Sequence, residues 1–232
     1  MRLLPEAPGT RHGLAGPVVT TPHNAEEPVN DKNSPDRLVF FTDAVVAIAL
    51  TLLVLPLTDI VPDLVAAHGR SIEAITDHQW QIRSFLLSFI VVGRQWMSHH
   101  RLFANVVKYN TGLLVLNLAW LLTVVIVPFP TQMVGAFGTD KFTCLFYIGT
   151  MVANSLCLAA LVALVRRNPE LTGYRSAIPE PWWTNLVGST MSLVAAFVVA
   201  AFVPGVGYFA ILLLLAPPVV AKLTRPRRTA RS

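Results

Sequence analysis

The sequence runs to 232 residues, 53% of them hydrophobic and only 13% charged, with a mean hydropathy of +0.56. An ordinary soluble domain, roughly a quarter charged, is excluded, and the apolar runs exceed what a soluble helix needs. The net charge of +5 and pI near 9.6 do not signal nucleic acid, because the basic residues flank the apolar runs and no basic stripe interleaved with aromatics is present.

Residues 1–35 hold Pro5, Pro8, Pro17, Pro22, Pro28 and Pro35 among polar residues and read as a disordered tail, with no stretch apolar enough for a signal-peptide core. The first apolar run, Val39 to Leu57, opens after Ser34-Pro35-Asp36, with Ser34 or Asp36 as cap and Pro56 as its stop. Residues 58–77 read as a polar outer loop with a short amphipathic stretch. Further runs follow at about 80–103, 111–130, 142–165, 185–203 and 207–223, the last two separated by a Pro204-Gly205 turn.

This pattern predicts an all-α integral membrane protein with six transmembrane helices: a tail (1–35), a transmembrane domain (36–223) and a basic tail (224–232). Both termini are placed in the cytoplasm, because the outer segments then hold only Arg70, Arg83 and Lys141 of the 18 Lys and Arg residues. Arg166, Arg167, Arg175 and the C-terminal group Lys222, Arg225, Arg227, Arg228 and Arg231 fall inside. No internal repeat of the kind that builds many transporters is visible. Cys144 and Cys157 share one apolar run and read as buried thiols, neither disulfide nor metal ligands.

Arg37, Phe41, Thr42 and Asp43 open the first apolar helix as arginine, three residues, then Phe-Thr-Asp. This closely resembles the Arg-x-x-x-Phe-Ser-Asp signature of the transmembrane protein 175 family of endolysosomal and bacterial potassium channels, with threonine for serine. Residues 91–131 look like the same family's second-to-third helix stretch, at Trp96, His99, His100, Asn117, Leu118, Pro128, Phe129 and Pro130. The resemblance covers the first three helices; the later ones agree only in number and hydrophobicity. Tyr109-Asn110 stands where the family often has tyrosine-aspartate.

An ionised group inside a span is costly, so Asp43 needs a partner. The topology puts Asp43, Trp96, His99, His100 and Asn117 in the inner half of the membrane, and Trp96 shares a helix face with both histidines. The expectation is a hydrogen-bonded cluster of Asp43, Thr42, Trp96 and one histidine that ties the first three helices together.

The resemblance also implies that the first helix of each subunit lines the pore, with large aliphatic residues forming rings about the axis. Carried onto this chain, the constriction is Ile48, Leu52 and Leu55, with Thr51 as its polar position. At 100° per residue the three aliphatic residues fall within about 60° of one another, whereas Asp43 lies about 140° from Ile48. Such a dry constriction gates by wetting.

The implied function is passive, potassium-preferring cation conduction by a homo-oligomer of four chains in a bacterial plasma membrane, with no cofactor and potassium as the permeant ion. The rival is a proton-coupled secondary transporter or proton leak channel using Asp43 with His99 or His100. A metal-dependent membrane enzyme built on the same residues is disfavoured, since adjacent histidines project about 100° apart on a helix. Gly205-Val206-Gly207-Tyr208 lacks the flanking residues of a filter loop and reads as part of a hairpin turn. Asn154 is expected to bond across helices, Arg94 to snorkel or pair with an acid, Trp182-Trp183 to anchor at the interface, and the C-terminal tail to meet anionic head groups.

Overall fold

The computed structural model describes residues 35–138, 140–173 and 179–202. The sixth apolar run, the Pro204-Gly205 turn, residues 1–34, Arg175 and the C-terminal tail lie outside the described residues. Every regular element among the described residues is helical. In chain order these are α1 (Asp36–Leu52), α2 (Leu55–Ala66), α3 (Glu73–Thr76), α4 (Gln79–Phe103), α5 (Thr111–Ile126), α6 (Pro128–Phe137), α7 (Lys141–Arg167), a 3-10 turn (Pro169–Thr172) and α8 (Glu180–Phe202).

Four stretches among them are long and apolar enough to cross a membrane: Asp36–Ala66, Thr111–Phe137, Lys141–Arg167 and Glu180–Phe202. The 25-residue α4 has the length, about 37 Å, but Arg83, Arg94, Arg101 and its glutamines and histidines make it less apolar.

The expected stop at Pro56 is a restart. The helix ladder tightens at Leu53–Val54, where the Val54 amide donates to the Thr51 carbonyl at 3.3 Å, and Pro56 then sits in the first turn of α2. Proline costs little there, because first-turn amides have no helical acceptor. Residues 58–77, expected as a loop, instead carry most of α2 and then α3. Together α1 and α2 measure about 46 Å, more than a hydrocarbon core of about 30 Å. The expected cap also differs: Pro35 takes the N-cap position and Asp36 lies within the first turn. The third run breaks the same way at Val127, and Pro128 and Pro130 open α6.

Two helix starts follow local chemistry. The Asn110 side chain accepts the Leu113 amide at 2.8 Å and caps α5, and Asp140 accepts the Thr143 amide at 3.1 Å and caps α7. Asn110 thus performs the capping role an aspartate would perform at that position.

The central helix is α7, packed against α4, α5, α6 and α8. Half of its apolar window is buried, against about a third or less for the other candidate spans. Tyr147, Ile148, Met151, Leu158 and Leu161 fill the core with Trp120 and Leu113 from α5. Its end is tied to α8 by Arg166, which pairs with Glu180 at 2.6 Å and lies 5.1 Å over the Trp183 ring.

Polar side chains bridge the helices inside this apolar packing. Ser88 of α4 bonds Thr131 of α6 at 2.8 Å and Tyr147 of α7 at 3.0 Å. Asn154 of α7 donates to Thr123 of α5 at 2.9 Å, and Gln95 of α4 donates to Ser155 of α7 at 3.1 Å. Where α4 meets α6, Gly135 allows the close approach: a Cβ there would lie 3.3 Å from the Gln81 backbone and from the Ser84 hydroxyl. Cys144 and Cys157 are free thiols.

Candidate functional site

The first helix has two faces of opposite fate. Leu38, Thr42, Val46, Ala49 and Leu53 recur every three to four residues and are all buried, against α4, α5 and α6. Opposite them, Phe41, Ile48, Thr51, Leu52 and Leu55 are exposed, Ile48 at 59%, Leu52 at 39% and Leu55 at 49%. The four residues expected at a constriction therefore share one open face. The Thr51 hydroxyl donates to the Ile48 carbonyl at 2.7 Å, so its proton is committed to the helix and its oxygen can still accept.

The residues at Leu53 and Val54 keep right-handed helical dihedrals, so the open face carries over into α2. At 100° per residue Asp59 falls about 20° and Asp63 about 60° from Ile48. Both carboxylates are exposed. Stopping the helix at Pro56 hides this continuity in the sequence.

On the buried face the signature residues meet. Trp96 of α4 donates its indole N–H to Oδ1 of Asp43 at 2.8 Å. The neighbouring Thr42 reaches the other way: Asn117 of α5 donates to its hydroxyl at 2.8 Å, and that hydroxyl donates to the Leu38 carbonyl at 2.8 Å. The Nε2 atom of His99 lies 2.7 Å from Oδ1 of Asn117. Since an amide oxygen only accepts, Nε2 carries the proton. The chain His99–Asn117–Thr42 is wholly buried and joins α4, α5 and α1.

The imidazole of His99 is sandwiched. Its ring stacks on Trp120 at 4.3 Å and on Phe103 at 4.4 Å. Its Nδ1 and the Trp120 indole nitrogen are buried without a hydrogen-bond partner among the described residues. His100 is exposed and packs its ring against Trp96 at 5.5 Å.

The structure thus brings together Thr42, Asp43, Trp96, His99, His100 and Asn117. It does not bring in Arg37 or Phe41: both are exposed, and Arg37 makes no hydrogen bond or ion pair with a described residue. The partner of Asp43 is the tryptophan, and the buried histidine bonds Asn117 instead. Sequence reasoning missed Trp120 and Phe103. Both carry a helical-spacing signal, Phe103 one turn beyond His99 and Trp120 one turn beyond Asn117.

Residues 37–128 match the family described as endosomal/lysosomal potassium channel TMEM175. A potassium channel of Streptomyces collinus is 30% identical over 158 residues, covering 66% of this chain and 75% of that protein. The human endosomal/lysosomal proton channel TMEM175 is 25% identical over 197 residues, which span 81% of this chain and 38% of the human protein. Among solved structures, a lysosomal potassium-selective channel TMEM175 homolog from Chamaesiphon minutus shares the fold. Its TM-score is 0.66 at 20% identity, over 80% of this chain and 97% of that one.

Proposed function

Because the chain belongs to the TMEM175 family of membrane cation channels, we propose that it conducts potassium passively, in preference to sodium, through a pore lined by α1 of several identical copies. The observation that carries this reading is the open apolar face of α1. Ile48, Leu52 and Leu55 stay uncovered while the opposite side of the same helix is fully packed. A single helix cannot close a pore, so this face needs copies of itself about an axis, and four chains is the number the resemblance implies.

In this assembly Ile48, Leu52 and Leu55 form stacked hydrophobic rings that stay dry until they widen enough to wet. Thr51 offers a hydroxyl oxygen among these rings to a partly dehydrated cation. Asp59 and Asp63 continue the face beyond the rings and gather cations at the outer mouth. Asp43, Trp96, Thr42, Asn117 and His99 hold α1 against its own subunit, away from the conduit. Six spans with both termini in the cytoplasm give the orientation, supported by the bias of Lys and Arg. The bacterial plasma membrane is the proposed location, potassium is the permeant ion, and conduction needs no cofactor.

A second reading is proton leak. It is favoured by the human relative, a proton channel, and by the buried His99, which holds a ring nitrogen without a partner among the described residues. Planar-bilayer recording of the purified protein separates the two. Potassium conduction puts the reversal potential at the potassium equilibrium potential under asymmetric potassium and sodium, with no shift when only pH is made asymmetric. A reversal potential that follows the proton gradient instead would replace potassium conduction with the second reading.

A further inference from the structure

Away from the face of α1, α4 and α8 leave a cleft of about 340 Å³ between them. The cleft changes character along its length. Val91 and Leu193 line one end and Arg101 and Trp182 the other, with Arg94 and Ser189 at intermediate positions along the two helices. Arg94 and Arg101 lie seven residues apart on the same face of α4, about 10 Å along its axis. Both are exposed, and neither guanidinium has a hydrogen-bond or ion-pair partner among the described residues. The side chains of Asn185 and Ser189 on α8 are likewise without one. None of the described residues lining the cleft is acidic.

Two guanidinium groups on α4 and two polar side chains on α8, none with a partner among the described residues, line one cleft and offer a set of donors to an anion. We infer that this cleft binds the head group of an anionic phospholipid. The phosphate sits between Arg101, Asn185 and Arg94, which snorkels toward it along its own stem. The acyl chains leave the cleft toward its Val91 and Leu193 end, where both of those side chains are themselves nearly buried, and Trp182 stands at the level of the interface. The chain's own basic group Lys222, Arg225, Arg227, Arg228 and Arg231 carries the same sign as Arg94 and Arg101 and supplies them no countercharge. Basic clefts between membrane helices are where lipid head groups of this kind bind. The inference needs only that the chain is a membrane protein; placing the lipid in the inner leaflet rests on the orientation proposed above.

Native mass spectrometry tests it without reference to conduction. The full chain is purified from vesicles of phosphatidylcholine and phosphatidylglycerol, and the retained lipid is counted. Preferential retention of phosphatidylglycerol is expected. R94Q/R101Q should lower that retention roughly tenfold or more, the effect of two basic residues on an anionic lipid. S189W, which fills the cleft while keeping both arginines, should lower it as well. R167Q removes an exposed charge at the end of α7 outside the cleft and should retain lipid as wild type does, and a wild-type melting temperature for R94Q/R101Q and S189W shows that both fold. Equal loss in R167Q, no preference for phosphatidylglycerol, or displacement by soluble glycerol phosphate as complete as by lipid would overturn the inference.

Discussion

The indole nitrogen of Trp96 donates to the carboxylate of Asp43 at 2.8 Å, and the residue beside Asp43, Thr42, is bonded to a different helix through Asn117. Two consecutive residues of α1 thereby hold two different neighbours. Replacing Asp43 with alanine leaves the indole N–H without its acceptor and should cost about 1–3 kcal/mol. Asp43→Asn keeps an acceptor and should recover most of that loss. Thermal unfolding in detergent reads both variants, and the alanine variant should also lose current.

The bond between His99 and Asn117 fixes a tautomer. Nitrogen NMR of the labelled protein should find His99 protonated at Nε2, with Nδ1 bare. Asn117→Leu removes the acceptor of His99 and the donor to Thr42 together, and should destabilise the fold by about 1–3 kcal/mol for each buried group left unpaired. A wild-type melting temperature for this variant would remove the network from the list of forces holding α1.

Much of this arrangement is legible in the sequence, and the parts that are not have physical reasons. The spacing of Trp96, His99 and His100 and the position of Asp43 foretell a meeting of the first three apolar runs, which the structure forms as α1, α4 and α5. Which atoms bond is decided by azimuth, which periodicity does not carry in a helix apolar all round. So the sequence pairs Asp43 with a histidine as readily as with Trp96. Proline misleads in one particular way. Pro56 looks like an end, because proline breaks a ladder, yet it falls in a first turn where no amide is missed, whereas the third run, read unbroken to residue 130, breaks just before Pro128. Trp120 goes unnoticed because one more apolar residue in an apolar helix carries no contrast, although it forms half of the His99 sandwich.

Leu52→Ala should weaken the proposed hydrophobic rings and raise the open probability or leak of reconstituted channels. Thr51→Val keeps the shape of that position, removes its hydroxyl, and should lower the potassium-to-sodium permeability ratio. Single-channel recording checks both. Unchanged conductance and selectivity in the two variants would move the conduit to another face.

Asp59→Asn with Asp63→Asn should reduce inward current at low ionic strength and leave it unchanged near 1 M salt, where the screening length is about 3 Å. A reduction independent of salt would assign these residues to packing instead of cation attraction.

Gly135→Val should be poorly tolerated, because even a Cβ there meets the Gln81 backbone at 3.3 Å. A loss of about 1–3 kcal/mol is expected from the forced separation of α4 and α6. Chemical or thermal unfolding of the purified protein measures it.

The anchors at Thr42 and Asp43 also constrain how such a molecule can move. Adjacent residues project about 100° apart, so their two bonds pin the roll angle of α1 the way two pegs pin a dowel. Spinning the lower half of that rod would break both at once. In the proposed pore, widening at Leu55 is therefore cheapest as a sideways lean of the segment beyond the tightened turn of Leu53 and Val54, while the base, Leu52 included, stays bolted to its own subunit.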